Sequence, residues 1–267
     1  MPDLVAAFRR FMVESAKSDK GCVAKIAVVK ALLATENCDE EDLFLQGVRH
    51  VQLEPAWGGP ADTAAPLRAL CGLALVQMGS TQATIELATL LADKEPDARI
   101  GAAHALANCG STGEALLRFK VLIEDRETAV IAECLTGLMT LSPRGSFDFV
   151  SQFVDPEHPT LYEHAALALA ESRLPEAFVL LTDEWSSTFD REFKRTLLLP
   201  IALTRSEEAV DFLISILEGG DNRMALDSIS ALAIYRDDAS VRKRVEAAVC
   251  AEDNAQLQKA FDQIFKS

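Results

Sequence analysis

Two residues capable of chemistry lie five positions apart near the middle of the chain, His104 and Cys109. A histidine and a cysteine held close together could form a small reactive site. They stand, however, in "IGAAHALANCG", a run of small residues with apolar positions at helical spacing, which is typical of a packed helix. The sequence therefore predicts structural roles for both, with His104 bonded to a neighbouring backbone group or carboxylate.

The other residues with chemical potential are few and scattered. Six cysteines occur at positions 22, 38, 71, 109, 134 and 250 without a CxxC pair, which is typical of reduced, buried thiols and favours the cytoplasm. GxSxG, P-loop, HExxH and zinc-spaced Cys/His patterns do not occur. The sequence therefore predicts no catalytic residue, no metal ligand and no cofactor.

Charge narrows the classes of partner. The chain has 26 basic and 41 acidic residues among 267, a formal net charge of −15, which opposes binding to nucleic acid or to an anionic membrane. No run of about 18 uncharged apolar residues predicts a membrane span, and the N-terminal "MPDLVAAFRRFMVESAKSDK" does not look like a secretory signal. We expect a cytoplasmic protein that binds neither nucleic acid nor membrane.

The elements that carry His104 and Cys109 repeat along the chain. The pair Ala105-Leu106 has equivalents in similar apolar surroundings, and they recur with a period of about 31 residues. The last interval spans two periods, and the first is one period plus about a dozen extra residues. The equivalents are Ala31-Leu32, Ala74-Leu75, Gly137-Leu138, Ala168-Leu169 and Ala231-Leu232.

Each period consists of a helix with small residues, a tight turn and a second helix with larger apolar residues. Such helix pairs bury their apolar faces only by stacking on their neighbours. The sequence predicts an all-α solenoid, an α-α superhelix of about seven helix pairs in a single domain. Its predicted parts are an N-terminal cap helix at 1–18, a first repeat at 19–50, an insertion loop at 51–66, the remaining repeats at 67–250 and a C-terminal cap helix at 251–267.

These repeats resemble a known family, the short HEAT repeats of phycobilin-lyase-like proteins. The resemblance covers residues 19–250 and depends on the "A..AL" first helix, the "EA...L..LL.D" second helix and an acid before each new repeat. It implies a HEAT-type solenoid, in which Pro200 within a first helix is tolerated as a bend. The acids are Asp93, Asp125, Asp155, Asp190 and Asp221.

The insertion is the largest departure from the repeat and the predicted binding site. It contains Trp57, one of two tryptophans, beside two glycines. Insertions in repeat proteins often map to the binding face, and tryptophan is a frequent anchor in interfaces. The alternative is a structural corner in which Trp57 covers the end of a helix pair. The predicted binding residues are His50, Gln52, Glu54, Trp57, Asp62 and Arg68.

A second candidate surface is a ridge of arginines. Arg173, Arg205 and Arg236 recur once per repeat in the turns between first and second helices. Stacking would align them along one edge, where they could bind acidic or phosphate groups. The alternative is that they cap the carbonyl ends of the preceding helices.

The predicted function is a non-catalytic scaffold or adaptor that binds a protein partner, in an oligomeric state that the sequence leaves open. Di-iron hydroxylases of the HEAT type use repeated His-Glu dipeptides, whereas this chain has only Glu157-His158 and Glu163-His164, in reverse order and in one repeat. A HEAT-like DNA glycosylase would need a basic groove, which the net charge opposes. The alternative that stays open is a bilin-lyase-like factor acting on a cofactor-bearing protein.

Overall fold

The computed structural model describes residues 2–35, 39–219 and 221–266. The chain divides into two compact units, unit 1 (Met1–Leu141) and unit 2 (Ser142–Ser267). Almost all regular structure in the described residues is α-helical. The fold class predicted from the sequence is therefore confirmed. Cys38 lies outside the described residues.

In unit 1, successive first helices pack side by side: α3 contacts α5, α5 contacts α7, and α7 contacts α9. A two-stranded antiparallel hairpin lies between the first and second helix pairs. Unit 1 consists of α1 (Pro2–Met12), α2 (Ser15–Ser18), a 3-10 turn (Lys20–Cys22), α3 (Val23–Leu33), α4 (Glu41–Val48), β1 (Leu53–Ala56), β2 (Gly59–Asp62), α5 (Ala65–Gln77), α6 (Ala83–Leu90), α7 (Pro96–Leu106), α8 (Gly110–Leu122) and α9 (Thr128–Leu141).

Unit 2 follows the same scheme, since α11 packs on α13, α13 on α15 and α15 on α17. Its elements are α10 (Pro143–Ser151), α11 (Pro159–Glu171), α12 (Pro175–Ser187), α13 (Arg191–Leu203), α14 (Glu207–Gly219), α15 (Asn222–Leu232), a 3-10 turn (Ala233–Tyr235), α16 (Ala239–Ala251) and α17 (Ala255–Phe265).

The helix boundaries reproduce the predicted period of about 31 residues. In chain order the pairs run from α3/α4 to α15/α16, which makes seven in the described chain. Pro200 lies inside α13, the sixth first helix, as predicted. From α5 onward, the first helices begin at Ala65, Pro96, Thr128, Pro159, Arg191 and Asn222.

Two segments differ in detail from the predicted elements. The N-terminal segment contains two helices, α1 and α2, because the helix is interrupted at Glu14, whose backbone is left-handed with a φ of +49°. The insertion contains the β1–β2 hairpin where an irregular loop was predicted. Its strands are only four residues long and contain two prolines and a glycine, residues that argue against a strand in a sequence pattern.

Buried ion pairs connect successive repeats of unit 1. Arg68 on α5 contacts Asp93 in the turn before α7, and Arg99 on α7 contacts Asp125 in the turn before α9 at 2.8 Å. Lys120 Nζ on α8 also lies 2.7 Å from Asp125 Oδ2. The two arginine side chains are almost fully buried. An unpaired buried charge is energetically costly. These ion pairs therefore hold each repeat in a defined position against the next one.

Two of the three equivalent acids in unit 2, Asp190 and Asp221, act as helix N-caps. The Asp190 side chain accepts hydrogen bonds from the backbone N–H groups of Glu192 and Phe193 at the start of α13, and Asp221 does the same at the start of α15. N-caps of this kind contribute about 1 kcal/mol each. The acids before the repeats thus have two structural roles, a buried ion pair for Asp93 and Asp125 in unit 1 and a helix cap for Asp190 and Asp221 in unit 2.

Small residues allow the first helices of unit 1 to approach closely. A Cβ atom placed on Gly101 of α7 would lie 2.2 Å from Ala69 Cβ and 2.9 Å from Ala69 Cα on α5. No larger residue fits at position 101 unless the two helices move apart.

None of the described helices is both long enough and apolar enough to cross a bilayer.

Candidate functional site

The candidate site is the β1–β2 hairpin, built on the stack at the point where α4 ends. Leu53 pairs with Asp62 and Ala56 pairs with Gly59, so that Trp57 and Gly58 form the two-residue turn. Gly58 and Gly59 have φ values of +95° and +129°, which residues with a side chain rarely adopt. The two glycines therefore allow the tight reversal that places Trp57 at the tip.

The inner side of the hairpin is held by the carboxylate of Glu54, which is only 7% exposed. Glu54 Oε1 accepts hydrogen bonds from Gly21 N at 2.7 Å, Gln52 Nε2 at 2.5 Å and Thr63 Oγ1 at 3.1 Å. The hydrogen bonds from Gln52 and from the Gly21 backbone lower the pKa of Glu54 below its usual value. Hydrogen bonds to an ionised carboxylate are stronger than those between neutral groups, so the three donors around Glu54 hold the inner side of the hairpin in place.

Gln52 connects the same cluster to the N-terminal segment. Its Nε2 atom donates to Asp19 O at 2.8 Å, and its Oε1 atom lies 3.4 Å from His50 Nε2. Burial lowers the pKa of His50, although the contact with Gln52 opposes that shift. His50 and Gln52 therefore act as internal supports of the hairpin in this structure.

Asp62 and Arg68 anchor the second strand. Asp62 Oδ1 accepts from the backbone N–H groups of Gln52 and Ala64, both at 3.0 Å, and Asp62 Oδ2 lies 2.7 Å from Arg68 Nη1. Burial opposes ionisation of Asp62, but these backbone hydrogen bonds and the Arg68 guanidinium outweigh it and lower the pKa of its carboxyl. Arg68 Nη1 also donates to His50 O at 2.8 Å.

Only the tip and the outer side of the hairpin face solvent. Trp57 is fully exposed, and Val51 and Leu53 are more than half exposed. Of the six residues predicted to bind, the structure brings five together as a hydrogen-bonded base and leaves the Trp57 side chain in solvent. The sequence did not reveal this division, because residues 51–54 alternate apolar and polar side chains but, against the usual rule, the polar Gln52 and Glu54 turn inward.

The three predicted ridge arginines occupy equivalent turns of unit 2, and all are exposed or half-buried at the surface. Arg173 and Arg205 have left-handed backbone conformations, with φ values of +53° and +56°, and their backbone N–H groups bond to carbonyls at the ends of α11 and α13. In the described chain, their guanidinium groups make no hydrogen bond to those carbonyls. The Nε atom of Arg236 lies 3.8 Å from Asp237 Oδ2.

His104 and Cys109 have the structural surroundings that their sequence context predicts. His104 Nδ1 lies 2.8 Å from Glu133 Oε1 on the next first helix, and Cys109 is half-buried just before α8, where burial raises the pKa of its thiol. Among the described residues, no group of three or more metal-ligating side chains comes together.

The sequence alone did not reveal the buried basic partners of the inter-repeat acids. One recognisable spacing is a basic residue six positions after an acid, as in Asp62 and Arg68, which form an ion pair. Asp93 and Arg99 have the same spacing, but Arg99 donates there only to the Asp93 backbone carbonyl. The carboxylate partner of Arg99 is Asp125, 26 residues later. In Asp19 and Lys25 the same spacing gives a buried ion pair of 3.0 Å.

Together, the fold and the site define an α-helical repeat protein with an exposed aromatic hairpin. No family model matches the chain, and none of the curated proteins does. Among solved structures, it is similar to the complex of CpcE and CpcF of phycocyanin lyase from Nostoc sp. PCC7120. That match has 15% sequence identity and a TM-score of 0.46, and it covers 92% of this chain and 91% of the other.

Proposed function

We propose that this protein is a non-catalytic scaffold or adaptor that binds a protein partner through the β1–β2 hairpin. The observation that carries the proposal is the full exposure of Trp57 on a turn whose base is fixed by the buried carboxylate of Glu54. A tryptophan that leaves water on binding contributes strongly to affinity. A support that is already ordered reduces the entropy lost on association.

The second-helix surface of unit 1 offers further apolar contact area to the same partner. Ile85 on α6 and Phe119 and Leu122 on α8 are each more than half exposed, as is Ile123 directly after α8. Exposed aliphatic and aromatic side chains on two successive second helices are suited to a protein surface. The turn arginines of unit 2, Arg173, Arg205 and Arg236, are proposed to contact acidic groups of a partner.

The experiment that tests this proposal compares two exposed aromatic residues. Trp57→Ala removes the hairpin tip, whereas Phe189→Ala removes a residue that is 99% exposed between α12 and α13. Affinity capture identifies a partner, and titration calorimetry with that purified partner measures each variant. We expect Trp57→Ala to weaken binding by about 2 kcal/mol or more, about 30-fold, and Phe189→Ala to leave it unchanged.

Equal binding by wild type and Trp57→Ala would contradict the hairpin site. In that case, alanine variants of Phe119 and Leu122 would test the second-helix surface in the same assay. Failure to capture any partner from the native lysate would count against the scaffold function itself.

The alternative function, a lyase or chaperone-like factor acting on a cofactor-bearing protein, stays a prediction. The structure of phycocyanin lyase to which this chain is similar has that activity in its name, but the likeness is too low to transfer it. The capture experiment separates the two functions, because a bilin-bearing partner absorbs visible light. A coloured partner that gains or loses its chromophore on addition of this protein would favour the alternative.

A further inference from the structure

A groove on the first-helix face of unit 1 is separate from the hairpin. Its volume is about 410 Å³, within the range typical of binding sites. Half-buried aliphatic side chains from three adjacent helices line its floor. They are Ile26 of α3, Leu70 and Leu73 of α5, and Ile100 of α7.

The charged groups around this floor are unequally distributed. Lys30 of α3 lines one end, whereas Asp97 of α7 and Glu133 of α9 line the other. Lys30 and Asp97 are exposed, and neither makes an ion pair with another described residue. Glu133 is held by His104. The groove therefore has a basic end at α3 and an acidic end at α7 and α9.

The dimensions suit a short peptide. Packed helices lie about 8–10 Å apart, so the distance across the floor from α3 to α7 is about 16–20 Å. An extended chain rises about 3.3 Å per residue, and about five or six residues would cross the floor. Alternate side chains of such a segment point to the same face, where they would meet the aliphatic floor.

We infer that this groove binds a short extended segment of a protein partner that combines aliphatic side chains with an acidic residue at one end and a basic residue at the other. The acidic residue lies beside Lys30, and the basic residue lies beside Asp97, which makes no ion pair with another described residue, whereas Glu133 is already held by His104, another residue that lines the groove. This site is independent of the proposed hairpin contact, and it uses charge complementarity for orientation and the aliphatic floor for affinity.

The test uses three fluorescein-labelled, end-blocked peptides with the same aliphatic core. One carries an acid at one end and a lysine at the other, the second carries acids at both ends, and the third carries lysines at both ends. Fluorescence anisotropy with the full chain measures their affinities. Because the net charge of −15 attracts the doubly basic peptide to any surface, the decisive comparison is between variants of equal net charge.

Asp97→Lys and Asp39→Lys change the net charge equally, but Asp39 is exposed before α4 and does not line the groove. We expect Asp97→Lys to weaken binding of the mixed peptide about five-fold and to strengthen binding of the doubly acidic one. Asp39→Lys should leave the mixed peptide unchanged. Lys30→Glu should shift the preference toward the doubly basic peptide.

Neutral substitutions are the controls in case the charge-reversed variants fail to fold. Asp97→Asn and Lys30→Gln should each remove the charge preference at their own end, with an unchanged circular dichroism spectrum. Equal effects of Asp97→Lys and Asp39→Lys would overturn the inference. The inference would also be overturned if none of the three peptides showed saturable binding. Neither result would bear on the hairpin proposal, which the Trp57→Ala variant tests separately.

Discussion

Arg68 forms a bidentate ion pair with Asp93, with Nε 2.9 Å from Oδ2 and Nη2 3.0 Å from Oδ1. Its Nη1 atom also contacts Asp62 at the end of the hairpin. One side chain on α5 therefore joins the hairpin to the turn that begins the next repeat. The interior of unit 1 and its candidate binding element share this residue, so the stability of one depends on the other.

The first prediction concerns that residue. Arg68→Met keeps the apolar stem of the side chain but leaves Asp62 and Asp93 without their cation. Breaking a buried ion pair in this way costs about 3–5 kcal/mol, measured as the free energy of unfolding in urea. The matched variant Arg236→Met removes a side chain that is 68% exposed and should cost at most about 1 kcal/mol. Similar losses in both variants would contradict the role of Arg68.

The second prediction tests the close approach of α5 and α7. Gly101→Ala places a methyl group against the Ala69 backbone, so the helices must separate. We expect a net loss of about 1–2 kcal/mol, because overpacking outweighs the better helix propensity of alanine. Gly219→Ala is the control, since a Cβ there meets nothing within 4 Å. Thermal unfolding that showed Gly101→Ala to be as stable as this control would refute the close packing.

The third prediction concerns acid stability. Burial opposes ionisation of Asp125, but Arg99 and Lys120 outweigh it and lower its pKa from 3.8 to about 2. A lowered folded-state pKa contributes stability that is present above pH 3.8 and is lost as the pH falls toward 2. Its size is on the order of 2 kcal/mol.

Asp125→Asn should therefore be less stable than wild type at pH 7, and the difference should shrink as the pH falls from 5 to 2. Urea unfolding at several pH values measures it. Asp237→Asn, at a side chain that is 98% exposed, is the control for loss of one carboxylate. A constant difference between wild type and Asp125→Asn over this range would show that Asp125 is not the titrating group.

The fourth prediction concerns the two tryptophans. Trp57 is fully exposed, whereas the indole Nε1 of Trp185 is buried and Lys194 Nζ lies 4.2 Å from the Trp185 ring centre. In Trp185→Phe, the remaining fluorescence comes from Trp57 and should be strongly quenched by acrylamide. In Trp57→Phe it should be largely protected. Equal quenching in both variants would contradict the exposure of Trp57, and protection on adding a partner would support the hairpin contact.

The periodic part of the structure could be predicted from sequence because it is local. Leu and Ala at helical spacing define each helix, and Gly79 and Gly110, both with positive φ, mark turns between helices. The same unit recurs through the chain, so several weak signals reinforce one another. Seven helix pairs in the described chain, with a nearly constant repeat length from α5 onward, follow from that repetition.

The assignment of individual side chains could not be predicted in this way. Glu54 bonds to Gly21, 33 residues earlier, and Arg68 bonds to Asp93, 25 residues later. Such contacts depend on which surfaces meet after the repeats stack. The break in the repeat spacing identified the insertion as unusual, but only tertiary structure turned Glu54 inward and left Trp57 outside.

The sequence by itself thus determined the helical class, the repeat length and the position of the insertion, because these depend on neighbours three or four residues apart. Tertiary structure decided that the insertion is a hairpin and which of its polar groups are buried. It also paired the acids at the repeat boundaries with Arg68 and Arg99. The physical reason is that a buried charge is stable only beside a partner, and packing of distant segments supplies that partner.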